Sequence, residues 1–391
     1  MDFFQVRERY NKNSIELYPD FRVCRSKDLM VRGKSFYAIW DEEAQLWSTD
    51  EYDVQRLVDN ELLAKAESMK NADGKVTVKT MGNFSSNSWK DFRNYVGHIS
   101  DNSHQLDTKV TFSNTETKKT DYISKRLSYP LEAGPHEAYD ELMGTLYSEE
   151  ERKKLEWAIG AIIAGDAKTI QKFIVLYGAA GAGKSTVLNI IQKLFDGYYT
   201  TFEAKALTTS SNAFSTEVFR SNPLVAVQHD GDLSRIEDNT KLNSIVSHEE
   251  ILINEKYKSG YPMRVNCFLF MATNKPVKIT DAKSGLIRRL IDVTPTGNKI
   301  PVRRYNTLMN QIDFELGAIA QHCLDIYTEM GKNYYNSYRP VDMMYKTDPF
   351  YNFVEECYDI FMEQDGVTLK QAYAMYKEYC DQTNADYKLQ M

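Results

Sequence analysis

The chain is poor in the features that mark secreted, membrane and metal-binding proteins. Five cysteines (Cys24, Cys267, Cys323, Cys357 and Cys380) are scattered through 391 residues, and no two stand as C-x-x-C. Their odd number and wide spacing argue against a disulfide framework or a thiolate zinc site and point to a reducing cytoplasm. No apolar run nears membrane-spanning length, and the opening MDFFQVRERY lacks the hydrophobic stretch of a signal peptide. No internal repeat or low-complexity tract is visible. Positive charge is outnumbered, 48 Lys and Arg against 55 Asp and Glu, and the formal charge of −7 argues against a generally basic nucleic-acid coat.

Locally the charge balance reverses. Residues 251–304 hold eleven Lys or Arg against Glu255, Asp281 and Asp292, an excess of eight that leaves −15 for the remainder. A polyanionic partner should meet the protein there. A hydrophobic content of 42% is ordinary for a globular protein, and the length allows two or three domains, each with its own core. The 26 tyrosines and 18 phenylalanines suit base stacking and cores equally.

Taken in order, Lys34 to Trp47 reads as two strands around an Asp-Glu-Glu turn. A helix follows from about Asp50 to Ala66, capped by Ser48 or Thr49. Met69 to Lys75 is a loop, Ser88 to Ile99 a helix, and Lys109 to Phe112 a short strand. Trp40, Trp47 and Trp89 are read as core. After the Gly134-Pro135 break come helices over His136–Leu146 and Ser148–Ala164, the second opening on the capping box Ser148-x-x-Glu151. Leu308 to Met330 is a helix ending at Gly331. Residues 340–391 read as a small helical module. In it Pro349 opens one helix, Asp365-Gly366 turns, and Thr368-x-x-Gln371 caps another helix through Cys380.

The stretch Phe173 to Thr186, FIVLYGAAGAGKST, organises the rest. Phe173 to Tyr177 is a short buried strand, and an amphipathic helix runs to about Phe195. Between them G-x-x-x-x-G-K-[ST] is satisfied by Gly178, Ala179, Ala180, Gly181, Ala182, Gly183, Lys184 and Ser185, followed by Thr186. Small side chains let backbone N–H groups close on a phosphate, and the helix aims its positive end at the same anion. Lys184 would reach the β- and γ-phosphates of ATP, and Ser185 would ligate Mg²⁺. Average residue frequencies put a chance match in such a chain on the order of one per cent, so the loop is read as a nucleoside triphosphate site.

Other stretches join it. Pro223 to Asp232, PLVAVQHDGD, is an apolar strand ending in acid, of Walker B form. It is expected beside the nucleotide strand, with Asp230 on the metal and Asp232 on the attacking water. Phe268 to Asn274 is a second apolar strand, whose terminal Asn274 would orient water or sense the γ-phosphate. Ile251 to Val265 reads as a hairpin with Lys256, Tyr257, Lys258 and Arg264 near its tip, suited to a single-stranded nucleic-acid backbone. Arg288 and Arg289 precede another strand. His229 and His248 are read as structural.

In this order, between Gly178 and Arg289, the motifs resemble those of the superfamily 3 helicases, most closely the poxvirus- and phage-type primase-helicase proteins. LINEKYK and FMATNKPVKITDAKSGLIRRLIDV are similar to their signature. TFSNTETKKTDYISKRLSY, ending at Tyr129, resembles the end of their N-terminal helicase-associated domain. The resemblance implies an α/β fold with an AAA+-like P-loop NTPase core on a parallel sheet. It implies a mixed α/β domain over 1–150, the ATPase over 151–335 and a winged-helix-like module over 340–391. It further implies ATP and Mg²⁺, a hexameric ring and 3′→5′ travel on single-stranded or forked DNA. A primase or polymerase would be the partner, in the host cytoplasm if the protein is phage-encoded, with no membrane involved. Carried over by motif, Lys184 and Ser185 bind ATP–Mg²⁺, and Asp230 or Asp232 serve Walker B. Asn274 is sensor 1, Lys256 and Lys258 lie on the pore hairpin, and Arg289 or Arg288 is the arginine finger. Ala182 departs from the Asn of many relatives, and the Walker B strand lacks its Glu. No primer synthesis is expected. The chain stops where a recognition helix would begin, so a shortened C-terminal module is expected. The alternatives are an AAA+ DNA loader or switch without unwinding activity, and a P-loop small-molecule kinase.

Overall fold

Alternation of apolar and polar residues builds strands from the first stretch onward. The computed structural model describes all residues except 1, 22–25, 70–74, 209–213, 233–237, 255–259, 278–284, 342, 344–349, 351–352, 355–356, 364–366 and 384–391. Its contacts divide the chain into two units, Met1–Ser128 and Tyr129–Met391.

In the first unit β1 (Gln5–Asn11) and β2 (Ser14–Asp20) pair antiparallel. Ile15, Leu17 and Pro19 of β2 point inward, as period-two patterning requires. β3 (Leu29–Arg32), β4 (Ser35–Asp41) and β5 (Leu46–Ser48) form a second, antiparallel sheet. The expected strand pair around the acidic turn is therefore β4 and β5, and Asp41 closes the turn by accepting from Glu43 and Ala44 N–H. α1 (Glu51–Ser68) follows, then β6 (Lys75–Val78), parallel to β2, then α2 (Asn87–His98). The cap of α1 is Asp50, which accepts from Tyr52 N, not Ser48 or Thr49. Ser48 instead accepts from Asp50 N, one step upstream. A carboxylate at the N-cap also favours the positive end of the helix. Trp40, Trp47 and Trp89 are buried, and their indole N–H groups reach Glu42, the Lys119 carbonyl and the Gly82 carbonyl. No strand forms over Lys109–Phe112. Val110, Thr111 and Phe112 are buried, but the chain turns at Phe112–Thr115 before a ladder can extend.

The second unit begins with α3 (Glu137–Leu146) and α4 (Glu149–Ile163). Ser148 caps α4 through Glu151 N. The Glu151 carboxylate turns away from the expected reciprocal bond, because Lys154 Nζ and Thr294 N both donate to it. A five-stranded sheet follows, made of β7 (Phe173–Tyr177), β8 (Tyr199–Thr201), β9 (Val225–Gln228), β12 (Phe268–Thr273) and β13 (Leu290–Val293). Its strand order is β13-β7-β12-β9-β8, and every pairing is parallel. The connections carry α5 (Lys184–Leu194), α6 (Ala204–Leu207), α7 (Thr240–Val246) and the antiparallel pair β10 (Glu250–Ile253) and β11 (Tyr261–Arg264). α8 spans Val302–Met330 and ends on Gly331, at φ 80°. It starts one and a half turns earlier than Leu308, since Pro301 presets its entry and its first turns are exposed and carry no apolar stripe. α9 (Tyr358–Glu363) and α10 (Leu369–Thr383) follow. Thr368 and Gln371 form the expected reciprocal cap, whereas Pro349 and Asp365-Gly366 lie outside the described residues. Among the described residues no helix is long and apolar enough to cross a membrane.

α4 and α8 approach closely because Gly160 has no side chain. A Cβ there would fall inside the van der Waals envelope of the Cys323 carbonyl. Gly144, in contrast, faces open space on α3. Gly160→Ala should therefore destabilise the protein by about 1–3 kcal/mol in a denaturant titration. Gly144→Ala should be neutral or stabilise by about 0.5–1 kcal/mol. Equal effects at the two sites would contradict the crossing geometry.

Candidate functional site

Parallel strands present all their carboxyl ends at one edge of a sheet, and chemistry gathers where neighbouring strands are connected in opposite directions. Here that edge carries Gly178 after β7, Asn274 after β12 and His229 to Asp232 after β9. The acidic strand does not lie directly beside β7. β12 lies between them, pairing with β7 on one side and β9 on the other. Chain order could not reveal the insertion, because β12 is the later strand.

The loop between β7 and α5 is tightly packed at both ends. Gly178 N donates to the Thr273 carbonyl, and a Cβ on Gly178 would meet Pro295 Cδ at 3.1 Å. Gly181 and Gly183 take φ of 76° and 88°, the left-handed region where side chains are strained. A Cβ on Gly183 would also meet Leu146 Cδ2 at 2.8 Å. Leu146 and Pro295 are tied to each other by the bond from Thr296 N to the Leu146 carbonyl. Ala179, Ala180, Gly181 and Ser185 are exposed, Thr186 is half-buried and Ala182 is buried.

Lys184, at the first position of α5, is buried. Its Nζ donates to the carbonyls of Gly178 (2.7 Å) and Ala179 (2.8 Å) and to Asn274 Oδ1 (2.7 Å). Burial lowers its affinity for a proton below the usual lysine range, and the negative charge of Asp230 opposes that effect. Three of the expected site residues thus meet here, Lys184 and Asn274 by contact and Asp230 through its field. Asp230 is exposed, while Asp232 pairs with Lys275 Nζ at 2.7 Å. Gly231 between them bonds through its N–H to the Ala272 carbonyl, which fixes the acidic turn against β12. Lys275 was not among the expected residues, although a cation directly after Asn274 was a readable signal. His229 touches Gln192, and His248 is buried between the carbonyls of Val265 and Ile170.

The two arginines lie elsewhere. Arg289 immediately precedes β13, and its carbonyl accepts from Phe173 N, so it sits at the amino edge of the sheet. Its guanidinium is buried, bonded to Ser247 Oγ and the Gly285 carbonyl. Burial lowers its proton affinity, helped by the charge of Arg288 and opposed by Glu249. Arg288 is exposed. In the hairpin, Lys256, Tyr257 and Lys258 lie outside the described residues. Arg264 is not near the tip. It pairs with Glu250 at the base of the ladder, because the ladder closes at Ile253 and Tyr261. Among the described residues, no group of three or more His, Cys, Asp or Glu could hold a metal ion.

Residues 176–289, which contain the loop, the acidic turn, the hairpin and both arginines, match the model of a family of unknown function, DUF5906. Among solved structures, the apo structure of the NrS-1 C-terminal region (305-718) is similar over 90% of this chain and 82% of that one, at 12% identity and a TM-score of 0.48. The A form of the same region aligns with 88% of this chain and 80% of that chain, at 12% identity and a TM-score of 0.48.

The contact between Asn274 and Lys184 makes an electrostatic prediction. Asn274→Asp puts a charged oxygen where an amide oxygen now accepts. The Lys184 titration, followed by NMR of its labelled Cε, should then move to higher pH than in the parent protein. An unchanged titration would mean the contact does not persist in solution.

Proposed function

We propose that this chain is an ATP-dependent replicative DNA helicase of the superfamily 3, phage or viral type. In this reading it hydrolyses ATP between subunits of a hexameric ring, travels on single-stranded DNA and unwinds forked duplex. The observation that carries the reading is the meeting of Lys184, Asn274 and Asp230 beside a glycine-rich loop that opens a helix.

The loop fits a polyphosphate on physical grounds. Positive φ at Gly181 and Gly183, and the walls at Pro295 and Leu146, keep side chains out of the loop. Backbone N–H groups from Ala179 to Thr186 can then face an anion at the positive end of α5. Lys184 already lies against the loop, and phosphate oxygens would replace the two carbonyls it now contacts. Burial strengthens its attraction for that charge. Magnesium, when bound with the nucleotide, supplies neutralisation of the transferring phosphoryl group. Ser185 and Asp230 are the residues that would hold it. Asp232 would act on the attacking water once its exposed pair with Lys275 opens, and Asn274 would report the γ-phosphate to Lys184. Arg288 is the better candidate for an arginine acting on a neighbouring subunit's nucleotide, since Arg289 is committed to Ser247 and Gly285. Lys256, Tyr257 and Lys258 would contact DNA from the hairpin, with Arg264 behind them.

Two experiments test this. Lys184→Ala and Asp230→Asn should each lower ATP turnover on the order of 100-fold or more, and turnover retained by Lys184→Ala would sink the nucleotide assignment. Replacing Lys256 and Lys258 together by Ala should weaken salt-sensitive binding of single-stranded DNA while basal hydrolysis persists. Unwinding of a forked duplex separates a helicase from a loader, which would hydrolyse ATP without strand separation.

A further inference from the structure

A groove lies across the middle of α8, where the segment entering α3 passes over it. Gly317 allows the crossing, because a Cβ there would fall inside the van der Waals envelope of the Pro130 carbonyl, and a Cβ on Gly134 would just touch Ala318. Tyr129 anchors the start of the segment by donating its hydroxyl to the Leu194 carbonyl at 2.5 Å. Glu315 holds the far end. Its carboxylate accepts from Ala138 N (3.1 Å) and Tyr139 N (3.0 Å) and so caps α3, whose own N-cap residue His136 makes no side-chain cap bond. Between these ties the two walls frame a cavity of about 600 Å³.

Phe314 lines this cavity and is 93% exposed. A single exposed phenylalanine is ordinary by itself; its setting is not. Five carboxylates line the cavity against one guanidinium. Three of them are engaged, Glu141 with Arg304, Asp313 with Lys193 and Glu315 with the start of α3. Glu132 and Glu137 are exposed, and neither is ion-paired among the described residues. Charge complementarity therefore selects the occupant. A phosphate or a nucleic-acid strand is repelled by such a lining, and among the described residues no group of three or more His, Cys, Asp or Glu could hold a metal ion. A guanidinium satisfies both features of the cavity at once, since its plane stacks on an aromatic ring while its edge donates to carboxylates.

We propose that this groove docks an arginine-bearing segment of a partner protein, whose guanidinium stacks on Phe314 and pairs with Glu132 and Glu137. The walls are already fixed by Tyr129, Gly317 and Glu315, so the groove needs little ordering to receive it. The groove shares no residue with the nucleotide loop, the acidic turn or the hairpin, so the proposal goes beyond the function proposed above and stands without it.

The test is fluorescence anisotropy of a fluorescein-labelled peptide, Gly-Ser-Arg-Leu-Arg-Ser-Gly, titrated with the full chain at low ionic strength without nucleotide. The peptide should bind, and added salt should weaken it. Its citrulline counterpart, similar in shape but uncharged, should bind at least about tenfold more weakly. Phe314→Ser should weaken binding about tenfold, as should Glu132→Gln and Glu137→Gln together. All three side chains are exposed, so these variants should melt with the parent protein. Glu43→Gln with Glu51→Gln removes the same charge from exposed positions of the first unit and should change nothing. Equal weakening by the two pairs of Gln variants would overturn the proposal in favour of attraction to net charge. Absence of binding by the arginine peptide, equal binding of the citrulline peptide, or affinity unchanged by Phe314→Ser would overturn it outright. Sedimentation of the chain alone covers the remaining occupant, because self-association that is lost in Phe314→Ser would give the groove to a second copy and overturn the partner assignment. Lys184→Ala should bind the peptide as the parent protein does, while its ATP turnover tests the function proposed above, so either reading can fail without the other.

Discussion

Strand β7 is hydrogen-bonded on both sides by strands running its own way, and the chemistry of the second unit follows from that. A parallel sheet has a polarity that an antiparallel one lacks, so residues just after its strands share one edge and residues just before them share the other. Gly178, Asn274 and Asp230 gather at the first edge. Lys172, Arg288 and Arg289 gather at the second. The two edges are fixed by one ladder, because β12 and β13 both bond to β7 in register with Ile174 to Leu176.

The buried cations at the two edges are held differently. Lys184 lies among two carbonyls and an amide oxygen, with Asp230 close enough to favour its charge. Lys172 has one carbonyl, and its neighbours around a cavity before β7 and β13 include Arg288, Arg289 and Arg339 but no carboxylate among the described residues. Burial depresses both ammonium groups, but only at Lys184 does a carboxylate oppose it. Lys154, also buried, is the structural counterpart. It is paired to Glu151 and bonded to the Asp292 carbonyl and Tyr338, and so ties α4 to the strand after Arg289. Burial alone therefore does not mark a functional lysine; the nature of its partners does.

Much of the fold was legible residue by residue. Phe173 to Tyr177 and Phe268 to Thr273 are short, wholly apolar runs, the form of strands covered on both faces. Thr368 with Gln371, and Ser148 ahead of α4, are caps that chain-local chemistry suffices to specify. The misreadings arise where distant residues compete. Glu151 was free to complete its capping box, yet Lys154 and Thr294 take its carboxylate. Val110 to Phe112 had the composition of a strand, yet the turn at Thr115 and burial against other segments left it without a ladder.

The sequence by itself determined the local rules of the candidate site. Glycines stand where φ must be positive, a lysine opens α5, and polar or acidic residues stand at the ends of apolar runs. Those properties depend on neighbours in the chain, and a motif captures them. Only the tertiary structure decided that β12 lies between β7 and β9, that Leu146 and Pro295 wall the loop, and that Arg289 is bound to Ser247 while Arg288 is exposed. Strand order and the burial of a side chain depend on which distant segments pack together, and that follows from the summed burial of the whole core.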